Sequence, residues 1–373
     1  MNRAVYMDYN ATAPMRPEAI EAMTSALALG GNPSSVHRFG RLARRAIEDA
    51  RDEVATLIGA RSETIVFTSG GTEANATALR GAGRGRVIAS AIEHDSVLRN
   101  SNVELIPVDR NGVIDLAALE RMLAEGTTPA LVAVMLANNE TGVIQPVAAA
   151  AEIVHRFGAL LFCDAVQAAG KIELDVGELG TDLLSLSAHK LGGPMGVGAL
   201  YVAPHVVLAP LLKGGGQERK LRAGTENVAG IAGFGAAARA ARQQLNGFAR
   251  LAELRDALES QLSNLSPDAV VSGANAPRLP NTSCVAMVGV SSETQVIAFD
   301  LAGLAVSAGA ACSSGKVEPS RVLLAMGAGK AVADSAIRVS LGWTNDEEDV
   351  DRFVEAWGRL HAARRALVPA PAA

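Results

Sequence analysis

Cysteine is scarce in this chain: Cys163, Cys284 and Cys312 are the only three in 373 residues. An odd number at wide spacing gives neither a disulfide framework nor a CxxC pair for metal or redox chemistry, so each reads as a free thiol. The six histidines form no HxxxH or HxH pair, and a zinc site would have to be assembled from scattered residues. Long apolar runs are missing too. Tracts such as ALVAVMLA at 130–137 fall far short of a membrane span, and the opening MNRAVYMDYN lacks the apolar core of a secretory signal. The expectation is a cytoplasmic protein. Nor is there an excess of basic charge: a net charge of -5, with acids and bases interspersed, leaves no electrostatic footprint for nucleic acid or an anionic membrane.

What is present is the balance of a folded soluble protein, 49% apolar and 20% charged. The length suits one large α/β unit plus a smaller one. From about 60 to 210, short β-rich runs alternate with Ala-rich helical stretches: TIVFTSG, TEANATALR, RVIASAIEH, VELIPVD, PALVAVMLANNET, QPVAAAAEIVHRFG, ALLFCDAVQA, DLLSLSAHK and GVGALYVA. Such alternation predicts a largely parallel sheet with helices on its faces. Ligands bind at the carboxyl ends of the strands in such sheets, where Thr72, His94, Asn139, Asp164, His189 and Lys190 fall. A proline-free helical stretch over 226–265 leads to the Pro/Gly-punctuated SPDAVVSGANAPRLPNTS, placing a domain boundary near 245–265. The C-terminal third then reads as an α+β unit closed by the helix DEEDVDRFVEAWGRLHAARRAL, with VPAPAA as a frayed tail.

Four motifs carry chemistry. TSGGTEANAT at 68–77 sets Gly70 and Gly71 between a strand and a helix opening near Thr72; helix N–H groups and a hydroxyl suit a phosphate, although an ordinary glycine turn reads the same way. In SLSAHKLGGPMGVGALYV at 185–202, Lys190 stands between a strand end and a glycine-rich turn. A lysine placed there can form a Schiff base with a carbonyl, and pyridoxal phosphate (PLP) combines an aldehyde with a phosphate handle. PLP also needs a carboxylate at its pyridine nitrogen. Asp164 supplies one, although alone it reads equally well as a helix N-cap, and Gln167 three residues on can donate to the ring hydroxyl. Finally, SAGAACSSGKVEP at 307–319 places Cys312 among small and polar residues with little to pack against. Such a thiol is either reachable or part of a tight helix start.

Ten segments in order, YMDYNATAP (6–14), GNPSSVHRFG (31–40), TSGGTEANAT, EHDSV (93–97), NNETG (138–142), CDAVQ (163–167), SAHKLGGPMGVGALY, GGGQERKLRAGTENV (214–228), AGAACSSGKVEPS and IRVSLG (337–342), closely resemble the cysteine desulfurases. These are PLP enzymes of the class-V aminotransferase family, and the likeness is greatest to the nitrogen-fixation and housekeeping iron–sulfur branch. The resemblance implies the fold type I, aspartate-aminotransferase-like architecture. Its large PLP-binding domain would span 12–250, and its small domain, residues 1–11 with 251–373, would carry the cysteine loop.

It also implies roles. Lys190 would hold PLP and His94 would stack on its ring and move protons. Asp164 and Gln167 would contact the pyridine nitrogen and ring hydroxyl. Gly71, Thr72, Ser187 and His189 would bind the phosphate, joined by Thr225 from the second subunit of a homodimer. Asn139 and Arg338 would grip the carboxylate of L-cysteine, with Asn10 lining the same pocket. Cys312 would take the substrate's sulfur as a persulfide, release L-alanine, and pass the sulfur to an acceptor such as an iron–sulfur scaffold protein. Cys163 and Cys284, on apolar strands, read as core residues.

Three features depart from the family pattern. Met195 stands where a basic residue is common, ATAP replaces ATTP, and the end of the chain is shorter than the tail that helps the housekeeping enzymes hold their scaffold. Rival readings are a selenocysteine lyase, a cysteine-sulfinate desulfinase or an aminotransferase on the same fold, or a non-catalytic scaffold that keeps it. Cys312 argues against the former group, and Lys190, Asp164, His94 and Cys312 together argue against the latter.

Overall fold

A computed structural model describes residues 3–100, 102–309 and 318–367; Cys312 and the VPAPAA tail lie outside them. The strands in chain order are β1 (Val5–Tyr6), β2 (Ile65–Thr68), β3 (Arg86–Ser90), β4 (Val103–Ile106), β5 (Ala130–Ala133), β6 (Leu160–Asp164), β7 (Leu183–Ser187), β8 (Gly198–Val202), β9 (Ala269–Val271), β10 (Thr282–Met287), β11 (Leu304–Ala305), β12 (Ser307–Ala308) and β13 (Ala336–Ser340). The large sheet has the order β2-β8-β7-β6-β5-β3-β4. Only β8 runs against its neighbours β2 and β7; the other pairings are parallel. This is the mostly parallel α/β sheet that the alternating pattern predicts.

Its central strands are buried along their whole length, and largely apolar, because both faces are covered. Along β6, Leu161 and Cys163 enter one core while Leu160 and Phe162 enter another on the opposite face; β5 divides Ala130 and Val132 from Leu131 and Ala133 in the same way. The strand period of two therefore puts Asp164 on the face of Leu160 and Phe162. Helix α3 (Gly71–Gly81) packs there through Ala74 and Ala78. On the other face lie α1 (Pro17–Leu27), α2 (Arg38–Leu57) and the helix Val228–Gln243. Glycines let these helices meet closely: a Cβ at Gly233 would come within 2.5 Å of Met23 Cγ, and one at Gly235 within 2.5 Å of Ala50 Cα.

The second sheet, β12-β13-β10-β9, is antiparallel. Its core takes Val285, Met287, Ile337 and Val339, with Phe353 and Trp357 of the helix Glu347–Leu367. Val5 and Met7 join this core, and β1 pairs in parallel with β11 in a separate two-stranded sheet, so the N-terminal segment runs from the second core to the site, where Asn10 and Ala11 line the cavity. The opposite face of β10 packs Cys284 and Ala286 with Ile92 and Met135 from the large sheet's loops.

The helical stretch expected over 226–265 is three helices, Val228–Gln243, Leu245–Ala249 and Leu251–Leu265. The breaks coincide with a change of core. Ala241 belongs to the large-sheet core, whereas Phe248 and Leu251 belong to the second. At the first break, Gln244 Oε1 accepts a bond from Arg16 Nη1 at 2.6 Å.

Candidate active site

A cavity of about 350 Å³ opens where the carboxyl ends of β3, β5, β6 and β7 meet the N-terminal crossing segment. Asn10, Gly71, Thr72, His94, Asn139, Asp164, Gln167, Ser187, His189, Lys190 and Arg338 all line it, although the chain spaces them over more than 300 residues. Thr225 does not line it; it is exposed, on the segment after the turn Gln217–Lys220.

At one end, α3 begins at a glycine N-cap with no side-chain capping bond, leaving first-turn N–H groups available to a ligand. Gly70 has φ 153°, and a Cβ on Gly71 would press to 2.9 Å from Val166 Cγ2. Both glycines are therefore demanded by the turn and its packing. Ser187 and His189 flank this end. His189 Nδ1 lies 3.1 Å from Thr12 Oγ1. Burial, and then the neighbouring Lys190, depress the His189 imidazole to about 4, so at neutral pH it is an uncharged ring with one N–H to donate.

A continuous hydrogen-bonded chain forms the inner wall. Asp164 Oδ1 accepts from the Val166 N–H at 3.0 Å, and Oδ2 accepts from Asn75 Nδ2 at 2.8 Å. Asn75 Nδ2 also donates to Ser96 Oγ at 2.8 Å, and Ser96 Oγ meets His94 Nδ1 at 2.7 Å. Because the Ser96 N–H also donates to His94 Nδ1, at 3.1 Å, that nitrogen is an acceptor, and the neutral ring carries its proton on Nε2. Behind the wall lies Glu93. Burial and then Asp164 push its carboxyl well above the usual range, which favours its protonated form.

Lys190 Nζ donates to the carbonyls of Asn10 at 2.6 Å and Ala11 at 2.8 Å, which hold the amine at the cavity. Arg338, on β13, donates from Nη2 to Asp8 Oδ1 at 2.7 Å and from Nη1 to the Asn139 carbonyl at 3.1 Å. Its Nε is buried without a partner among the described residues. Arg338 nevertheless lines the cavity, and a planar guanidinium there suits an incoming carboxylate once it exchanges one of these partners.

Asn75, Asp8 and Lys171 are site features that the motif reading passed over. Asn75 lies one helical turn beyond Thr72, a spacing that places both on one side of α3. Asp8 is a lone acid in the apolar start of the chain, and it also accepts from Ser307 Oγ at 2.7 Å. Lys171 is buried behind the cavity and donates to Asn10 Oδ1 at 2.6 Å and Gln167 Oε1 at 2.8 Å. Cys163 and Cys284 are fully buried. Burial first, then nearby carboxylates, push the Cys284 thiol up to about 12 and that of Cys163 well above its ordinary value.

The uncapped helix end, the Asp164 carboxylate and the Lys190 amine, brought to one cavity, match the three parts of PLP: phosphate, ring nitrogen and aldehyde carbon. The aminotransferase class-V profile matches residues 5–353, and the chain belongs to this family of PLP-dependent enzymes. Within it, the chain falls among the cysteine desulfurases. It is 45% identical to the cysteine desulfurase of Cereibacter sphaeroides, with 98% of this chain and 97% of that one covered. It is 41% identical to cysteine desulfurase IscS of Dictyoglomus turgidum, with 99% and 97% covered. The solved structure of a NifS-like protein from Rickettsia africae superposes with a TM-score of 0.90 at 35% identity, covering 96% of this chain and all of that one.

Proposed function

We propose that the chain removes sulfur from L-cysteine and hands it to Cys312, giving L-alanine and a Cys312 persulfide. The observation that carries the choice of acceptor is the state of the other two thiols, both fully buried with raised pKa; neither supplies a thiolate to a substrate in the cavity. Bound PLP supplies an electron sink that lets the substrate's Cα give up its proton.

The chain's own residues do the rest. Lys190 would hold the cofactor covalently, released from the Asn10 and Ala11 carbonyls that otherwise accept its hydrogen bonds. Asp164, fixed by Asn75 and the Val166 N–H, sits at the ring nitrogen, and Gln167 at the ring hydroxyl. Gly71, Thr72, Ser187 and neutral His189 hold the phosphate. Arg338 offers its guanidinium, with Asn139 and Asn10 beside it, to the substrate carboxylate. His94, with its proton on Nε2, moves protons at the substrate. Cys312 thiolate then attacks the substrate's sulfur: an S–S bond forms, the Cβ–S bond breaks with its electron pair passing to the carbon side, and proton return there completes alanine.

A second copy of the chain completes the phosphate end. Thr225 is exposed away from its own cavity, while that cavity continues outward into a recess lined by Thr12, Ser69, Gly70 and Met195, which favours closure by a homodimer partner bearing Thr225. We divide the subunit into a PLP-binding domain, 12–250, and a small domain, 1–11 with 251–373. The sulfur acceptor is a protein such as an iron–sulfur scaffold, met in the reducing cytoplasm, where a thiol stays available.

The test is purified protein with L-cysteine and a reductant, measuring alanine and sulfide for wild type and Cys312→Ala. Equal alanine and sulfide from wild type, and loss of both in the variant despite retained cofactor colour, is the expected result. Persulfide found on Cys163 or Cys284 in the variant refutes the assignment of Cys312, and a coloured wild type making neither product refutes L-cysteine as the substrate.

A further inference from the structure

We infer that Lys171 is a positioning residue for the cofactor pocket: its buried amine sets which way the side-chain amides of Gln167 and Asn10 face. Lys171 does not line the cavity, but it touches two residues that do. Its Nζ donates to Gln167 Oε1 at 2.8 Å and to Asn10 Oδ1 at 2.6 Å.

An amide side chain has a donor end and an acceptor end of nearly equal size, so only its partners fix its sense. A lysine amine with two N–H bonds aimed at two amide oxygens leaves no ambiguity: both oxygens turn inward and both NH2 groups turn the other way. Gln167 Nε2 then donates to the Asn10 carbonyl at 2.9 Å, the same oxygen that receives Lys190 Nζ. Asn10 Nδ2 donates to Thr282 Oγ1 at 2.9 Å and the Asn139 carbonyl at 3.3 Å. Asn281 Nδ2 adds a longer bond to the same Asn10 oxygen, at 3.3 Å, so the amine orders the Gln167 amide and shares the ordering of Asn10.

Burial, with Lys190 and Arg338 nearby, lowers the affinity of this amine for its third proton; either charge state can make the two N–H bonds, and the ammonium, which has no lone pair to accept with, fixes the amide sense most strictly. A lysine kept in so unfavourable a place, where an apolar side chain of equal length would cost less to bury, points to a task beyond filling space.

The inference rests on the reading of Gln167 as a cofactor contact, and the experiment separates the two. Lys171→Met, Gln167→Leu and the double variant are prepared as apo proteins. Each is titrated with PLP, following the visible absorbance band, and melted without cofactor. The expected result is a PLP dissociation constant raised about tenfold and a displaced band in each single variant, in keeping with loss of one hydrogen bond. The double variant should be no more than about twofold worse than either single, because both act through one amide. The apo Lys171→Met protein should melt within a few degrees of wild type, since Met matches the volume of Lys and the relief of burying an amine offsets the two amide oxygens left without their donor. Wild-type PLP binding by Lys171→Met with impaired Gln167→Leu overturns the inference alone. Wild-type binding by both overturns the role of Gln167 as well. Multiplying effects in the double variant, with an apo melting temperature lowered by more than a few degrees, make Lys171 structural and also overturn it.

Discussion

If sulfur can be accepted at only one place, the two buried thiols must be nearly inert, and alkylation of the native protein measures this directly. The Cys284 thiol is pushed up to about 12 by burial first and by Glu140 second. At pH 7.5 an ordinary thiol of pKa about 8.5 is roughly one-tenth thiolate, whereas one at 12 is on the order of one part in 30,000, so ionisation alone slows reaction by about 10³-fold. Full burial of both Cys163 and Cys284 adds the need for an opening event before any reagent arrives. Native protein is treated with iodoacetamide at pH 7.5, and modification at each cysteine is followed by mass spectrometry against free N-acetylcysteine in the same tube. Cys163 and Cys284 should lag the free thiol by at least 10³-fold, and denaturant should abolish the lag. Modification of either within tenfold of the free thiol would show that the strands around it open readily, and the argument for a single acceptor would fall with it.

The turn Gln217–Lys220 gives a second prediction. Glu218, Arg219 and Lys220 all have positive φ, 43°, 55° and 69°, and Glu218 is locked by Arg51 Nη1 at 2.7 Å, Arg51 Nη2 at 2.9 Å and the Phe67 N–H at 2.9 Å. Glu218→Ala removes the buried carboxylate partner of Arg51 and leaves it only the half-exposed Glu48, at 3.0 Å, and the Ile65 carbonyl, so chemical denaturation should show a loss of about 3 kcal/mol. Arg45→Ala, which breaks an exposed pair with Asp49, should cost no more than about 0.5 kcal/mol; equal costs would contradict the reasoning. His189 gives a third. Its imidazole is held down to about 4 in the folded protein, against about 6.5 in the unfolded chain. The unfolded state therefore binds more protons between those values, and this contribution to stability is lost as pH falls from 6.5 towards 4. The apo protein's melting temperature should fall over that interval, and less steeply in His189→Gln; parallel curves would refute the assignment.

Much of this architecture is legible in the sequence because parallel strands buried on both faces announce themselves as short apolar runs, and a strand end followed by Gly, Asp or Lys marks the ligand edge. The motifs named thirteen site residues, and eleven of them line one cavity. Thr225 stands apart from it, and Cys312 lies outside the described residues. What local pattern does not carry is partnership across long separations. Asp8 meets Arg338, and Arg51 meets Glu218, only once the chain has folded, and nothing around Lys171 in KIELD distinguishes a buried amine from a solvated one. The helix break at Gln244 was hidden for a related reason: no proline marks it, and the change from one core to the other sets it.

The wall joining Asp164 to His94 also has an electrical meaning. Asn75 spends one N–H on Asp164 and the other on Ser96, and an amide nitrogen that donates in both directions cannot pass a proton along. The chain of contacts is thus mechanically continuous but insulating. The carboxylate and the imidazole keep fixed orientations relative to each other, while a proton gained or lost at His94 has no route through Asn75 to discharge Asp164.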